Sequence, residues 1–329
     1  MNDAMDGVIA QARQEIKDAR RIFLTSHVRA DGDAAGSLLG MGLSLQSAGK
    51  KVQLVLEDGL PSSFRFLPGA DLVKNHAEDD FDYVITLDCS DLSRVGGALK
   101  NLSSSNGASP VIPDLNIDHH ITNMNFARLN IVHGSAVATS EILATHLPLL
   151  GLPVDSQVAV CLLTGIITDT IGFRTNNLTA RTMRIAAELM DKGANLPDLY
   201  RQSLGQRSYE AARYWGQGLT HLERDGSIIW ASLSLADRSV ADYPGRDDAD
   251  LINVISSIID AKIALVFVEQ NNGSVKVSWR AQPGYDVSQI ALRFGGGGHE
   301  AASGAELKGS LNEVCQVVLN ATRPLVEAS

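Results

Sequence analysis

The chain has 329 residues, 44% of them hydrophobic and 20% charged, and its mean hydropathy is +0.01. With 28 Lys and Arg against 38 Asp and Glu, its formal net charge is −10 at pH 7. This length predicts about two domains with hydrophobic cores. The negative charge argues against a protein that coats long nucleic acid. No apolar run reaches the ~18 residues of a membrane span.

The first part of the chain predicts the alternating strands and helices of a parallel α/β domain. Residues 1–20 indicate an amphipathic helix without the apolar core of a signal peptide, which favours a cytoplasmic location. Three strand-like runs alternate with helical patterns such as 34–48; the strands are 21–27, 51–56 and 83–88. A loop is predicted at 103–110, and helices at 136–150, 156–168 and 179–192. The predicted fold class is α/β, with a doubly wound parallel sheet in residues 1–195.

The pattern changes after residue 195. A helical connector is predicted over 196–222, and Gly193 is expected to end the helix before it. Beyond it, two hairpins are predicted around Arg-Asp-Gly and Asn-Asn-Gly turns; their strands are 219–223 with 228–235, and 263–269 with 275–280. Three helices complete a smaller α+β domain over 223–329: one at 250–259, a second that ends near Phe294 and a third at 311–326.

Three short acidic and histidine clusters each lie at the end of an apolar, β-rich run; the runs are 21–26, 83–87 and 115–117. The clusters are His-Val-Arg-Ala-Asp-Gly-Asp at 27–33, Leu-Asp-Cys-Ser-Asp at 87–91 and Ile-Asp-His-His at 117–120. Because the carboxyl ends of neighbouring parallel strands share one crevice, these side chains are expected to meet there. Carboxylate and imidazole ligands without a thiolate suit Mn²⁺ or Mg²⁺ better than structural zinc. The sequence therefore predicts a metal site.

The number of carboxylates predicts two metal ions. Asp31, Asp33 and Asp88 would repel one another and raise one another's pKa unless cations neutralised them. Two divalent ions about 3.5–4 Å apart would do so, and they would also activate water for an in-line displacement at phosphorus. No protein nucleophile is then needed. The three cysteines are widely spaced and have no CxxC motif, so Cys89 is interpreted as a small buried residue.

Taken in chain order, these three clusters and a fourth segment resemble the motifs of the DHH phosphoesterase family. His27-x-x-x-Asp31-x-Asp33, Asp88 and Asp118-His119-His120 are followed by Thr164-Gly-Ile-Ile-Thr-Asp169-Thr170. The segment Phe294-Gly-Gly-Gly-Gly-His299-Glu-Ala-Ala-Ser-Gly304 resembles the glycine-rich signature of the DHH-associated C-terminal domain. The resemblance covers residues 20–308. It implies a metal-binding catalytic domain over 1–195 and a substrate-binding domain over 223–329.

The resemblance also implies roles for individual residues. Six residues would bind the metals: His27, Asp31, Asp33, Asp88, His119 and Asp169. Asp88 would bridge the two ions, with His27 and Asp31 on the first ion and the other ligands on the second. His120 would face the substrate phosphate, with Asp118 supporting it as the other catalytic residue.

A separate substrate-binding site is predicted in the C-terminal domain. Four glycines leave backbone N–H groups accessible to an anion, and His299 and Arg280 can add donors. The predicted substrate-binding residues are Arg280, Gly295, Gly296, Gly297, Gly298 and His299.

The activity implied is that of a phosphohydrolase with two Mn²⁺ ions, with Mg²⁺ or Co²⁺ as alternatives. The chain resembles the compact two-domain oligoribonucleases (nanoRNases) and 3′-phosphoadenosine-5′-phosphate (pAp) phosphatases. Its expected partner is a short oligonucleotide or nucleotide, with no membrane and no long duplex, and a homodimer is compatible with the sequence.

Several other functions are weighed against this one. A cyclic- or linear-dinucleotide phosphodiesterase is the nearest alternative. A RecJ-type exonuclease is disfavoured because additional domains and a positive groove are absent from the sequence. A type II pyrophosphatase is disfavoured by the glycine-rich segment, which stands in place of a basic motif. A non-catalytic nucleotide-binding module is a minor alternative, because the ligand set is complete.

Overall fold

The structure, a computed structural model, describes residues 3–77, 81–99 and 111–327. It divides into two compact units, residues 1–206 and 207–329. The division falls within the segment predicted as a connector, residues 196–222. The loop predicted at 103–110 lies outside the described residues.

The first unit is built on a six-stranded parallel sheet. Its strands are β1 (Arg21–Thr25), β2 (Lys51–Val55), β3 (Val73–Lys74), β4 (Tyr83–Leu87), β5 (Leu115–Asp118) and β6 (Leu129–Val132). Their spatial order is β3-β2-β1-β4-β5-β6, so the direction of winding reverses between β1 and β4. In open α/β sheets such a reversal opens a crevice at the carboxyl ends of the strands. The predicted α/β fold is confirmed.

Alternating strand residues of this sheet enter two apolar cores. Ile22 and Leu24 of β1 belong to the larger core, and Phe23 belongs to the smaller one on the other face with Val95. The helices of the unit are α1 (Asp3–Asp18), α2 (Gly32–Ser47), α3 (Thr139–Leu149), α4 (Ser156–Asp169), α5 (Ala180–Asp191) and α6 (Leu196–Tyr200). Single turns of 3₁₀ helix cover Ser62–Phe64, Ala70–Leu72 and Leu92–Val95, and a π-helical turn covers Arg201–Gly205.

The second unit is built on a six-stranded mixed sheet in the order β11-β12-β10-β9-β8-β7. Its strands are β7 (Leu222–Asp225), β8 (Ile228–Leu233), β9 (Ile263–Glu269), β10 (Ser274–Ala281), β11 (Gly297–His299) and β12 (Ala302–Lys308). The pairs β7–β8 and β9–β10 are antiparallel, which confirms both predicted hairpins, whereas β8 and β9 pair in parallel.

The helices of the second unit differ in part from the prediction. They are α7 (Tyr209–Thr220), α8 (Leu235–Ala241), α9 (Leu251–Ile255), α10 (Ser288–Arg293) and α11 (Leu311–Glu327). The helix predicted over 250–259 ends at Ile255, where a turn follows that contains Asp260 at φ +68°. Helix α8 was not predicted, although Ser234 and Asp237 form the reciprocal hydrogen bonds of a capping box at its start.

The sequence also predicts that Cys89 is a small buried residue and that no segment spans a membrane. All three cysteines are free and buried, including Cys89. Within the part of the chain that the structure describes, no helix combines the length and apolar character that crossing a membrane requires.

Candidate metal centre

The predicted metal ligands lie at the carboxyl edge of the parallel sheet, beside the point where its winding reverses. His27 follows β1, Asp88 follows β4 and His119 follows β5. Asp88 adopts a left-handed backbone conformation, with φ +54°, and its N–H donates to the Ile117 carbonyl oxygen at 3.0 Å. A left-handed non-glycine residue costs free energy and is typical of functional sites. The sharp turn sends the Asp88 side chain into the crevice.

The six predicted ligands come together in two groups of three. One group is His27, Asp31 and Asp88, and the other is Asp33, His119 and Asp169. Within each group, one nitrogen or oxygen atom from every residue lies within 4.8 Å of the others.

Asp88 faces both groups. Its Oδ2 lies 3.5 Å from His27 Nε2, and its Oδ1 lies 3.6 Å from His119 Nε2. His119 Nε2 is in turn 3.4 Å from Asp169 Oδ2. One buried carboxylate therefore presents a separate oxygen to a histidine of each group.

His120 and Asp118 form a hydrogen-bonded pair beside these groups. The two atoms His120 Nδ1 and Asp118 Oδ1 are 2.7 Å apart, and Asp118 is fully buried. Asn123 Nδ2 donates to the other Asp118 oxygen at 2.5 Å. His120 also forms a third potential ligand group with Asp88 and His119, whereas Asp118 belongs to none of the groups found among the described residues. The bond to Asp118 fixes the orientation of the His120 ring.

Asp31 serves both a helix and the metal-ligand cluster. Its Oδ1 accepts hydrogen bonds from the N–H groups of Asp33 at 3.1 Å and Ala34 at 3.0 Å, which caps α2. Its Oδ2 lies 3.9 Å from His27 Nε2. Because an N-cap aspartate is held by the helix backbone, the second oxygen is positioned without a further side-chain contact.

Asp33 is held by the start of another helix. Its carboxylate accepts the backbone N–H groups of Thr139 at 2.6 Å and Ser140 at 2.9 Å, in the first turn of α3. Thr139 also donates its hydroxyl to Asp88 Oδ1 at 3.0 Å. A helix N-terminus stabilises negative charge, so α3 orients two carboxylates of the site.

Thr139, Ser140 and Asn123 were not predicted as site residues. Thr-Ser near the start of a helical pattern is typical of a helix N-terminus, but the predicted helix began at 136, three residues before Thr139. That signal could have placed the helix start correctly. It could not have identified Asp33 as the partner, since Asp33 lies 106 residues away in the chain.

The carboxylates of the site perturb one another. Burial, followed by the charge of Asp88, raises the pKa of Asp33 to about 7. Burial and the charges of Asp33 and Asp31 raise the pKa of Asp169 well above its ordinary value. Burial would raise the pKa of Asp88 too, but the His27 hydrogen bond and the His119 charge lower it. Burial alone would lower the pKa of His27, yet its contacts with Asp88 and Asp31 raise it to about 9.

These shifts agree with a site built for divalent cations. Burying several carboxylates together is unfavourable unless positive charge compensates them. The histidines supply only part of that charge, and the donors are hard oxygen and imidazole nitrogen atoms. The described residues therefore fit a divalent metal centre by both charge and donor type.

Gly165 of α4 allows a close approach to Asp33. A Cβ atom at this position would lie 2.1 Å from Ser140 Oγ and 2.6 Å from Asp33 Oδ1. Both distances are far shorter than a van der Waals contact, so any side chain here would displace Asp33 or α3.

Gly165→Ala is therefore expected to destabilise the protein and to weaken metal binding. Overpacking of this kind lowers the free energy of unfolding by about 1–3 kcal/mol. Gly7→Ala is the matched control, because Gly7 lies in α1 and an added Cβ there would meet nothing within 4 Å beyond the adjacent backbone of its own helix. Urea unfolding and calorimetric Mn²⁺ titration measure the two effects. If Gly165→Ala bound Mn²⁺ as tightly as Gly7→Ala and were no less stable than it, the packing described around Asp33 would be wrong.

The predicted substrate-binding residues lie on the sheet of the second unit. His299 of β11 pairs with Ala302 of β12, which pairs with Arg280 of β10, so these positions are aligned across three strands. Gly298 has φ +142°, and a Cβ there would lie 2.5 Å from the Ala302 carbonyl oxygen. Only glycine allows this approach of β11 to β12.

Arg280 of β10 is half-buried. Its Nη1 donates to the Trp279 carbonyl oxygen at 3.0 Å, and its Nε makes no hydrogen bond to the described part of the chain. Burial lowers the pKa of Arg280, although Asp248 and Asp250 act in the opposite direction. A half-buried guanidinium whose Nε–H has no partner among the described residues is a candidate donor to an anionic group.

Comparisons with known proteins relate both units to one family. The family described as "DHH family, N-terminal domain" matches residues 21–166, and the DHHA1 domain matches residues 239–323. The chain is 33% identical over 306 residues to the bifunctional oligoribonuclease and PAP phosphatase NrnA of Thermus thermophilus, covering 92% of this chain and 89% of the relative. The Mycoplasma genitalium protein of the same name is 27% identical over 328 residues, covering 97% and 98%.

A solved structure has the same fold. It is the exopolyphosphatase-related protein of Bacteroides fragilis, with a TM-score of 0.88 and 27% identity. The alignment covers 98% of both chains. The similarity thus includes the strands and helices that carry the metal-ligand groups.

Proposed function

The chain belongs to the DHH phosphoesterase family, and from this premise we propose that it is a Mn²⁺-dependent phosphohydrolase acting on short oligonucleotides and on 3′,5′-bisphosphorylated nucleosides such as pAp. The observation that carries the proposal is the position of Asp88, which faces His27 in one ligand group and His119 in the other. The relatives named oligoribonuclease and PAP phosphatase support the choice of substrate.

We assign the metal ligands as the two groups suggest. His27, Asp31 and Asp88 would hold the first ion, and Asp33, His119 and Asp169, again with Asp88, would hold the second. The mixture of carboxylate and imidazole suits Mn²⁺, with Mg²⁺ or Co²⁺ as alternatives. When bound, two such ions supply a water of lowered pKa and offset the negative charge of a phosphate group in displacement.

His120 is proposed to contact the substrate phosphate. Burial alone would lower the pKa of His120, but its hydrogen bond to Asp118 raises it and favours the protonated ring. With Nδ1 directed at Asp118, the Nε2 proton of a protonated His120 is the one that we propose to donate to a phosphate oxygen or to the leaving group. The buried Asp118 acts by holding this ring.

Arg280, His299 and the glycines 295–298 are proposed to bind a second anionic group of the substrate. Arg280→Ala or His299→Ala should leave metal binding unchanged, because neither residue belongs to a ligand group. Loss of one charge-assisted contact should lower kcat/KM by about ten- to a hundred-fold. The loss should be largest for pAp and dinucleotides, since longer oligomers have additional nucleotides to bind.

Kinetics over a length series test this assignment. Arg213→Ala is the control, since this exposed arginine of the second unit pairs with Asp242 at 3.2 Å. Equal losses at all substrate lengths, or loss of bound Mn²⁺, would refute a role in binding one end of a short substrate.

A substrate screen with Mn²⁺ tests the function itself. We expect phosphate release from pAp and mononucleotide release from di- to pentanucleotides. Turnover confined to cyclic dinucleotides or to pyrophosphate would contradict the proposal, and no turnover of any of them would favour a non-catalytic module. The cytoplasmic location and the homodimer stay predictions.

A further inference from the structure

Two exposed apolar side chains lie beside His120. Ile121 is 80% exposed and Met124 is 74% exposed. Among the described residues of the first unit, no other large hydrophobic side chain is as exposed as these two. Single exposed aliphatic residues are ordinary, but two within four residues, next to a candidate catalytic histidine, call for a physical reason.

The loop that carries them is held in place by its backbone and by Asn123. The Asn123 N–H donates to the His120 carbonyl oxygen at 3.1 Å, and the Met124 N–H donates to the Ser90 carbonyl oxygen at 2.8 Å. The Asn123 side chain also donates to the Cys89 carbonyl oxygen at 3.1 Å. These hydrogen bonds hold the loop backbone in a conformation that leaves both apolar side chains exposed, although exposure of apolar surface to water is unfavourable.

The same hydrogen bonds keep the loop close to the metal-ligand groups. The turn closed between His120 and Asn123 holds their Cα atoms within about 7 Å of each other. On the other side, Ile121 lies against Gly134, where an added Cβ would come within 2.8 Å of Ile121 Cγ2. Gly134 follows β6, so the contact lies at the carboxyl edge of the same sheet.

We propose that Ile121 and Met124 form an apolar platform for the nucleobase of the nucleotide whose phosphate lies at His120. This inference rests on the proposed function. It concerns the nucleobase, for which the polar side chains of the metal-ligand groups offer no apolar contact. A base has two broad apolar faces and is joined through its sugar to the phosphate. Aliphatic side chains contact any base without reading its edge, so the platform would favour nucleotides over sugar phosphates without selecting a sequence.

Binding of AMP and of ribose 5-phosphate tests the platform. AMP is a product of both proposed reactions, and ribose 5-phosphate is its counterpart without a base. In calorimetric titrations with Mn²⁺, wild-type protein should bind AMP more tightly than ribose 5-phosphate. Ile121→Ser with Met124→Ser should raise the Kd for AMP about ten-fold and leave the Kd for ribose 5-phosphate unchanged.

Two control variants isolate the effect. Ile121→Leu with Met124→Leu should restore the preference for AMP, because the apolar area is kept. Ile112→Ser removes an isoleucine that is 64% exposed and precedes β5 at the opposite edge of the sheet, and it should change neither Kd. Substitutions at such exposed positions change stability by only about 0.5 kcal/mol, so all variants should fold.

The contrary results are distinct. Equal wild-type affinity for AMP and ribose 5-phosphate, or equal weakening of both by the serine pair, would overturn the platform. A protein that hydrolysed no nucleotide, yet kept a preference for AMP that depends on Ile121 and Met124, would contradict the proposed function and leave the platform standing.

Discussion

Asp88→Asn is expected to lower turnover by about a thousand-fold or more, equivalent to about 4 kcal/mol of transition-state stabilisation. The reason is that Asp88 presents one oxygen to His27 and the other to His119. Asparagine keeps the side-chain volume but has one oxygen and no charge. Both ions should therefore bind more weakly, which metal analysis after dialysis would measure together with kcat.

The control for this experiment lies three residues along the chain. Asp91 accepts the N–H groups of Ser93 and Arg94 and caps a short helix, and it belongs to no ligand group of the described residues. Because asparagine is also a good N-cap, Asp91→Asn should keep both ions and most of the activity. Two ions retained by Asp88→Asn, with activity within a few-fold of wild type, would exclude Asp88 as the bridge.

His119→Ala and His120→Ala are expected to fail in different ways. His119 Nε2 lies 3.4 Å from Asp169 and 3.6 Å from Asp88, so its loss should release the second ion. His120 instead directs Nδ1 at Asp118. Its loss should spare the metals and lower kcat by about 10²- to 10⁴-fold, as for removal of a general acid or base.

Metal titration and single-turnover kinetics on the two variants separate these roles. His133→Ala is the control, since the His133 side chain contacts His146 at 3.1 Å and belongs to none of the ligand groups found among the described residues. If His119→Ala and His120→Ala lost metal equally, His120 would be a ligand, as its grouping with Asp88 and His119 allows.

The convergence of the ligands could be predicted because it depends on a general property of parallel sheets. His27, Asp88 and Asp118 each come at or just after the end of a β-rich run, and such ends meet at one edge. The hairpins of the second unit could be predicted from their Gly-containing turns for a similarly local reason.

The contacts that orient the ligands could not be predicted in the same way. The Asp33 carboxylate is oriented by hydrogen bonds from Thr139 and Ser140. The Asp118 carboxylate is oriented by Asn123, and nothing in the sequence distinguishes this asparagine from an ordinary loop residue. These pairs arise from the packing of α3 and of the loop after β5 onto the sheet. No local pattern around Asp33 indicates that the start of α3 will meet it.

The measurement that tests the central claim most directly is the anomalous scattering of a crystal grown with Mn²⁺. We expect two Mn²⁺ peaks about 3.5–4 Å apart. One should lie at His27, Asp31 and Asp88, the other at Asp33, His119 and Asp169, with the Asp88 carboxylate between them. A single peak, or ions bound away from these residues at saturating Mn²⁺, would contradict a binuclear centre.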